Sequence, residues 1–196
     1  MNNIASDDQT PARRPRADSL RNRERLLTAA KAAFAELGAD APLEEIARRA
    51  GVGVGTLYRH FPAREALLSA VYRREVDQLC AAADRLLTER TPLEAMEAWL
   101  DQLIAYMGAK RVILPALKAA STPESEAAAS SGAAITGVFG RLVEAAAAAG
   151  DIRADMTPDD IQRMLAGVSF GYDQPGWEAS ARRLTRVLLD GLKARR

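Results

Sequence analysis

Thr56, Tyr58, Arg59 and His60 lie within one short stretch, and each side chain can donate a hydrogen bond to a phosphate or a base edge. They belong to the segment Ala50–Phe61, which also holds Gly51, Gly53 and Gly55. Leu57 and Phe61 are four residues apart, so on a helix they share an inward face and the polar four project elsewhere. The chemistry this suits is recognition of a nucleic-acid surface. A short amphipathic helix at Leu43–Ala50 precedes the segment, and the pair reads as a helix-turn-helix whose second helix enters a DNA major groove.

Catalytic chemistry finds no comparable support. His60 is the sole histidine, and no Cys/His cluster, nucleophile motif or phosphate-cradling loop is present. Gly51-Val52-Gly53-Val54-Gly55 lacks the preceding strand that a phosphate loop needs. Asp155, Asp159 and Asp160 gather at a helix start, where capping explains them without a metal. No cofactor and no metal is implied. The alternative outside enzymes is a helical adaptor that binds only protein, which leaves Thr56, Tyr58, His60 and Arg64 without a task.

The elements that position these residues read as helices throughout. Leu26, Ala30, Ala33, Phe34 and Leu37 recur at helical spacing and predict a first helix over Ser19–Leu37, stopped by Gly38. Pro42 opens the second helix, with Glu44 and Glu45 favouring its dipole and Leu43, Ile46, Ala47 and Ala50 facing inward. The third begins near Gly53 or Val54 and ends at Phe61, before Pro62. A unit this small is marginal alone and needs a larger support. The fourth helix supplies it, with Leu67, Leu68, Val71, Tyr72, Val76, Leu79 and Leu86 extending the apolar stripe to about Thr88. A fifth starts at Thr91-Pro92 and reaches Gly108. A shorter helix over Val112–Ala119 is interrupted by Pro115, and an Ala-rich helix covers Pro123–Ala149. Thr157 caps the next, with Asp160 three residues on completing a capping box. A last helix runs from Trp177 to near the C-terminus. The fold expected is all-α, with about nine helices.

Composition agrees with this reading. The chain has 196 residues, is 48% hydrophobic and only 5% aromatic, and is rich in alanine, as suits helices packed through small side chains. No run of about 18 apolar residues exists, so no membrane span is expected. The polar start Met1–Gln9 is no secretory signal, and the single Cys80 cannot pair internally. A cytoplasmic location follows as an expectation, at the nucleoid when bound to DNA. Cys80 itself reads either as ordinary packing or as a redox-sensitive thiol. Net charge is +1, but Thr10–Arg25 holds Arg13, Arg14, Arg16, Arg21, Arg23 and Arg25 against Asp18 and Glu24. Residues 1–18 read as a disordered basic arm. Arg13, Arg14 and Arg16 could follow phosphates or enter a minor groove, or the arm could be a solvated tail.

In the last helix, Trp177, Ala181, Leu184, Leu188 and Leu192 form one stripe. Such a stripe either covers the core or binds a second copy. A homodimer is favoured because helix-turn-helix readers commonly bind as symmetric pairs.

The segment Leu43–Phe61 with Pro62-Ala63-Arg64-Glu65-Ala66-Leu67-Leu68 resembles the TetR/AcrR family of bacterial transcriptional regulators. The resemblance is strong over roughly residues 20–75, and the C-terminal part is similar to the SbtR-type branch. It implies a helix-turn-helix DNA-binding domain over 19–65, with its motif at 42–61. It implies a helical ligand-binding and dimerisation domain over 66–196. Tyr58 and His60 match residues that touch phosphates or bases, and Thr56 matches a backbone or base contact. Arg64 matches a phosphate-holding residue at the start of the fourth helix. Gly53, Val54 and Gly55 match the variable start of the recognition helix. Many members carry Ser at the position of Gly53, a polar or basic residue at that of Val54, and a Ser/Thr cap where Pro42 stands. The departure weakens hydrogen-bond readout and leaves Val54 to contact a thymine methyl. Arg59 is then the candidate for guanine, or for a phosphate. The mechanism implied is a dimeric repressor on a palindromic operator, released when a small molecule shifts the fourth helix. Met96, Trp99, Leu103, Tyr106, Met107, Phe139, Met164, Val168 and Phe170 either line the ligand pocket or fill the core. Small residues at 127–137 leave room beside them for a mostly apolar ligand, with Tyr106 and Ser169 as polar anchors.

Overall fold

Alanine-rich segments separated by glycine and proline stops build helices joined by short turns. The computed structural model describes residues 14–120, 123–153, 155–168, 174 and 176–194, with side chains from residue 17 on except at 120 and 123–130. Eight helices follow in order: α1 (Arg14–Leu37), α2 (Leu43–Ala50), α3 (Val54–His60), α4 (Arg64–Glu89), α5 (Pro92–Ala120), α6 (Pro123–Ala148), α7 (Pro158–Val168) and α8 (Trp177–Leu192). Among the described residues there is no strand. An isolated antiparallel bridge, Ile152 to Lys193, ties the α6–α7 connection to the end of α8.

Two boundaries differ from the sequence reading. α1 begins at Arg14 rather than Ser19, so residues 14–18 of the expected disordered arm are helical. Pro15 is tolerated because a first helical turn leaves its N–H groups unpaired in any case. The expected break near Pro115 is also absent, so among the described residues eight helices stand where about nine were anticipated, and α5 runs through Pro115. Proline removes one backbone hydrogen bond there. Ile113 and Leu117 on either side are buried in the core, and their burial holds the helix on course.

The stops behave as composition suggests. Gly38 (φ 84°) follows α1, and Gly51 (φ 63°) caps α2. Both are left-handed conformations that glycine adopts at little cost. Thr157 and Asp160 form the expected capping box. The Thr157 N–H and hydroxyl donate to the carboxylate at 3.1 and 2.6 Å, and the Asp160 N–H donates to the Thr157 hydroxyl at 3.2 Å. Thr91 similarly donates its N–H and hydroxyl to Glu94 at the start of α5.

The core is continuous from end to end. Phe34, Ile46, Leu57 and Phe61 close the head formed by α1–α3, and Leu67, Leu68 and Val71 of α4 carry the same core into the body, α4–α8. The last helix corrects the reading of its stripe. Trp177, Ala181, Leu188 and Leu192 are buried within their own chain, so this face covers the core. Of the five, only Leu184 is exposed. It forms the exposed edge of the stripe, one turn from the exposed Val187, which the stripe omitted.

Candidate nucleic-acid interface

α3 is short and carries two glycines, so packing has to fix it. Leu57 is fully buried, and Phe61, just past the helix end, is buried beside it. Anchoring this inner face turns the other one outward. Val54 is 36% and Tyr58 44% exposed, while Gly53, Gly55 and Arg59 are also exposed. Thr56 and His60 are half-buried at the flanks. Arg59 folds back along the helix, donating to the Gly55 carbonyl at 3.3 Å and the Thr56 hydroxyl at 3.4 Å. These long bonds leave it able to extend toward a partner.

The glycines of this region divide by cause. Gly51 needs its positive φ, and a Cβ there would strike the Arg25 guanidinium. Gly53 has an extended backbone (φ −69°), Gly55 lies within the helix, and a Cβ at either would meet nothing. Glycine inside a helix costs about 0.5–1 kcal/mol relative to alanine. Nothing within the protein calls for that cost at Gly55. A thin surface admits close approach from outside.

Other cations of the head are already engaged. Glu45 accepts from both Arg48 and Arg49 at 2.7 Å, and Arg49 also reaches Glu36 of α1 at 2.7 Å. The bond from Arg48, then that from Arg49, holds the Glu45 carboxyl down at about 2, and the Arg49 bond lowers Glu36 as well. Arg64 does not extend from the α4 terminus. Its Nη1 donates to the carbonyls of Ala39 at 3.0 Å and Ala41 at 2.6 Å. In this structure it therefore braces the α1–α2 connection, although the resemblance gave it a phosphate. The side chains of Arg14 and Arg16, and all of Arg13, lie outside the described residues.

Head and body meet through polar groups that local sequence patterns do not show. Lys31 of α1 pairs with the buried Glu75 of α4 at 2.6 Å, and Arg74 donates to Thr28 at 3.0 Å. Further along, the hydroxyls of Tyr72 and Tyr106 are 2.7 Å apart and link α4 to α5. Burial, reinforced by Tyr72, pushes the Tyr106 phenol well above its ordinary range.

The expected pocket residues scatter. Met96, Trp99, Tyr106 and Phe139 are buried, with Trp99 stacked on Phe139 at 6.0 Å and donating its indole N–H to the Leu79 carbonyl of α4 at 2.8 Å. Leu103 is half-buried against this core, and Met107 and Val168 bridge it to a smaller cluster of Ile104, Trp177 and Ala181. Met164 is 41% exposed and faces solvent, so it lines no interior space. Gly132, Ala133, Ala134 and Gly137 are exposed too, on the outside of α6. Phe170 and Ser169 lie outside the described residues. Tyr106 borders a small cavity of about 150 Å³ with Lys31, Glu75, Gln78, Leu79, Gln102 and Ala105.

Residues 26–71 match the family model described as bacterial regulatory proteins, tetR family, and residues 91–194 match that of the SbtR-like transcriptional regulator C-terminal domain. The chain belongs to the TetR family. It is a DNA-binding transcriptional regulator with a helix-turn-helix and is not an enzyme. A TetR transcriptional regulator of Streptomyces coelicolor is 43% identical, with 89% of this chain and 99% of that one covered and a TM-score of 0.76. A TetR regulatory protein of Mycobacterium vanbaalenii is 36% identical, with 92% and 99% covered and a TM-score of 0.75. Among curated proteins, a helix-turn-helix-type transcriptional regulator of Staphylococcus aureus is 37% identical over 82 residues, 40% of this chain and 42% of its own length. Another from that organism is 28% identical over 106 residues, 57% of its length. The chain thus spans less than two thirds of these curated relatives. TetR-family regulators bind DNA, and among the described residues no helix is long and apolar enough to cross a membrane.

Proposed function

We propose that this TetR-family chain is a homodimeric repressor whose α3 helices read the two halves of a palindromic operator, and that a small, mostly apolar effector releases it. The observation that carries the reading is the outward face of α3, where Tyr58, Arg59 and two sterically unconstrained glycines stand over a buried Leu57. Tyr58, Arg59, Thr56 and His60 supply hydrogen-bond donors, and Val54 a methyl surface for thymine. Dimerisation through α8 is supported by Leu184 and Val187, 50% and 71% exposed. A second copy would cover them and space the two heads one helical turn of DNA apart.

Residues 19–65 are the DNA-binding unit in this reading, and 66–196 receive the effector. Trp99 couples the body's core to α4 through the Leu79 carbonyl. An apolar molecule that displaces Trp99 from Phe139 breaks that bond and frees α4 to shift. The effector acts only through its preference for the state that cannot bind DNA.

Mobility shift of the purified protein with its own upstream DNA, across a salt series, tests the proposal. Selective binding with a two-fold-symmetric footprint is expected. Weak binding that vanishes at moderate salt on every sequence tried, or none at all, would overturn it and favour a protein-binding adaptor.

A further inference from the structure

Every connection in the head is held by an arginine from another element. Arg64, the first residue of α4, donates to the carbonyls of Ala39 and Ala41 in the α1–α2 loop. Arg25 of α1 donates to the Gly51 carbonyl in the α2–α3 turn at 3.3 Å. Arg23, also on α1, sets its guanidinium carbon 5.2 Å from the centroid of the Phe61 ring, where α3 gives way to the α3–α4 turn.

We infer that Arg23, Arg25 and Arg64 are positioning residues for DNA binding, fixing the angle at which α3 is presented. This rests on DNA recognition by α3. A guanidinium has a planar fork of donors, and turning them onto backbone carbonyls ties a loop to another helix, most tightly through the short Arg64–Ala41 bond and more loosely through the 3.3 Å bond of Arg25. The α1–α2 loop needs such a brace, because the N-cap residue of α2 is Pro42, which offers no side-chain cap. The turn before α3 needs one too, since Gly53 provides no cap either. Arg64 ties the loop to α4, so a displaced α4 carries α2 and α3 with it.

The role separates from a phosphate contact by salt dependence. Each lost phosphate contact makes the slope of log affinity against log salt shallower by about 0.9. An α3 tilted off the base edges, with its cations still beside the phosphates, lowers selectivity and leaves the slope alone. The probe is a duplex selected by the wild-type protein from random-sequence DNA, alongside an unrelated duplex. If wild type selects nothing, operator recognition itself has failed, and with it the basis of this inference.

Arg64→Met and Arg25→Met are expected to lose tenfold or more in affinity for the selected duplex. Their salt slope and their binding to the unrelated duplex should match wild type. Arg59→Met is the contrast, expected to flatten the slope. Thermal melting confirms that each variant is folded, and should Arg64→Met not fold, Arg25→Met carries the test because Arg25 is exposed. Arg64→Lys, which keeps a donor near Ala41, should recover part of the selectivity. A flattened slope in Arg64→Met or Arg25→Met, equal losses on both duplexes, or unchanged affinity would overturn the inference.

Discussion

The outer faces of α3 and α8 both leave large apolar side chains in solvent, yet they are built for different neighbours. On α3, Val54 and Tyr58 stand among Gly53, Gly55 and Arg59, so the surface is thin and rich in donors. On α8, Leu184 and Val187 are branched aliphatic side chains flanked by Arg183 and Arg186. Aliphatic groups gain nothing from phosphates and much from another apolar surface. Donors beside glycine suit a backbone that must come close. Exposure alone does not distinguish the two faces; the residue types between the exposed groups do.

The comparison breaks most sharply on α8. Leu184→Glu with Val187→Glu should leave the chain folded and convert the proposed dimer to a monomer, read by analytical ultracentrifugation. Operator affinity should then fall on the order of 100-fold or more, since the second half-site no longer adds its effective concentration. On α3, Tyr58→Ala should cost about 1–3 kcal/mol of operator binding, or roughly five- to 150-fold. Melting temperature and dimer should be unaffected; a collapse of the fold would place Tyr58 in the core.

Gly55→Ala sharpens the contrast because its two effects carry opposite signs. Stability should rise by about 0.5–1 kcal/mol in thermal melts, as alanine replaces glycine in open space within a helix. Operator affinity should fall. Tyr106→Phe, remote from both faces, removes one buried hydrogen bond and should cost about 1 kcal/mol by denaturant titration. The Tyr106 phenol is raised in the folded state, so the folded chain keeps a proton that the unfolded chain loses first. Stability from this source is complete below the ordinary tyrosine range near pH 10 and declines as pH rises through it. The phenylalanine variant should be less sensitive in that window.

What the sequence revealed tracks how local each signal is. The Thr157–Asp160 box, the Gly38 and Gly51 stops and the burial of Leu57 and Phe61 all follow from spacings of a few residues, and each stands as expected. Pro115 misled because tertiary burial of Ile113 and Leu117 outweighs a local breaker. The α8 stripe at Trp177, Ala181, Leu188 and Leu192 has the period of a buried face, but periodicity does not say which surface buries it. Arg64, Lys31–Glu75 and Tyr72–Tyr106 join residues 23 to 44 positions apart, beyond any local pattern. Arg64 shows the limit of resemblance most plainly, since matching its position did not reveal that its donors turn inward.

The measurement closest to the central claim is amide hydrogen exchange of the full chain with and without the operator duplex. The account predicts new protection at residues 53–60, and none at residues 183–190, which a second copy covers in the proposed dimer. Protection at 183–190 with none at 53–60 would contradict it.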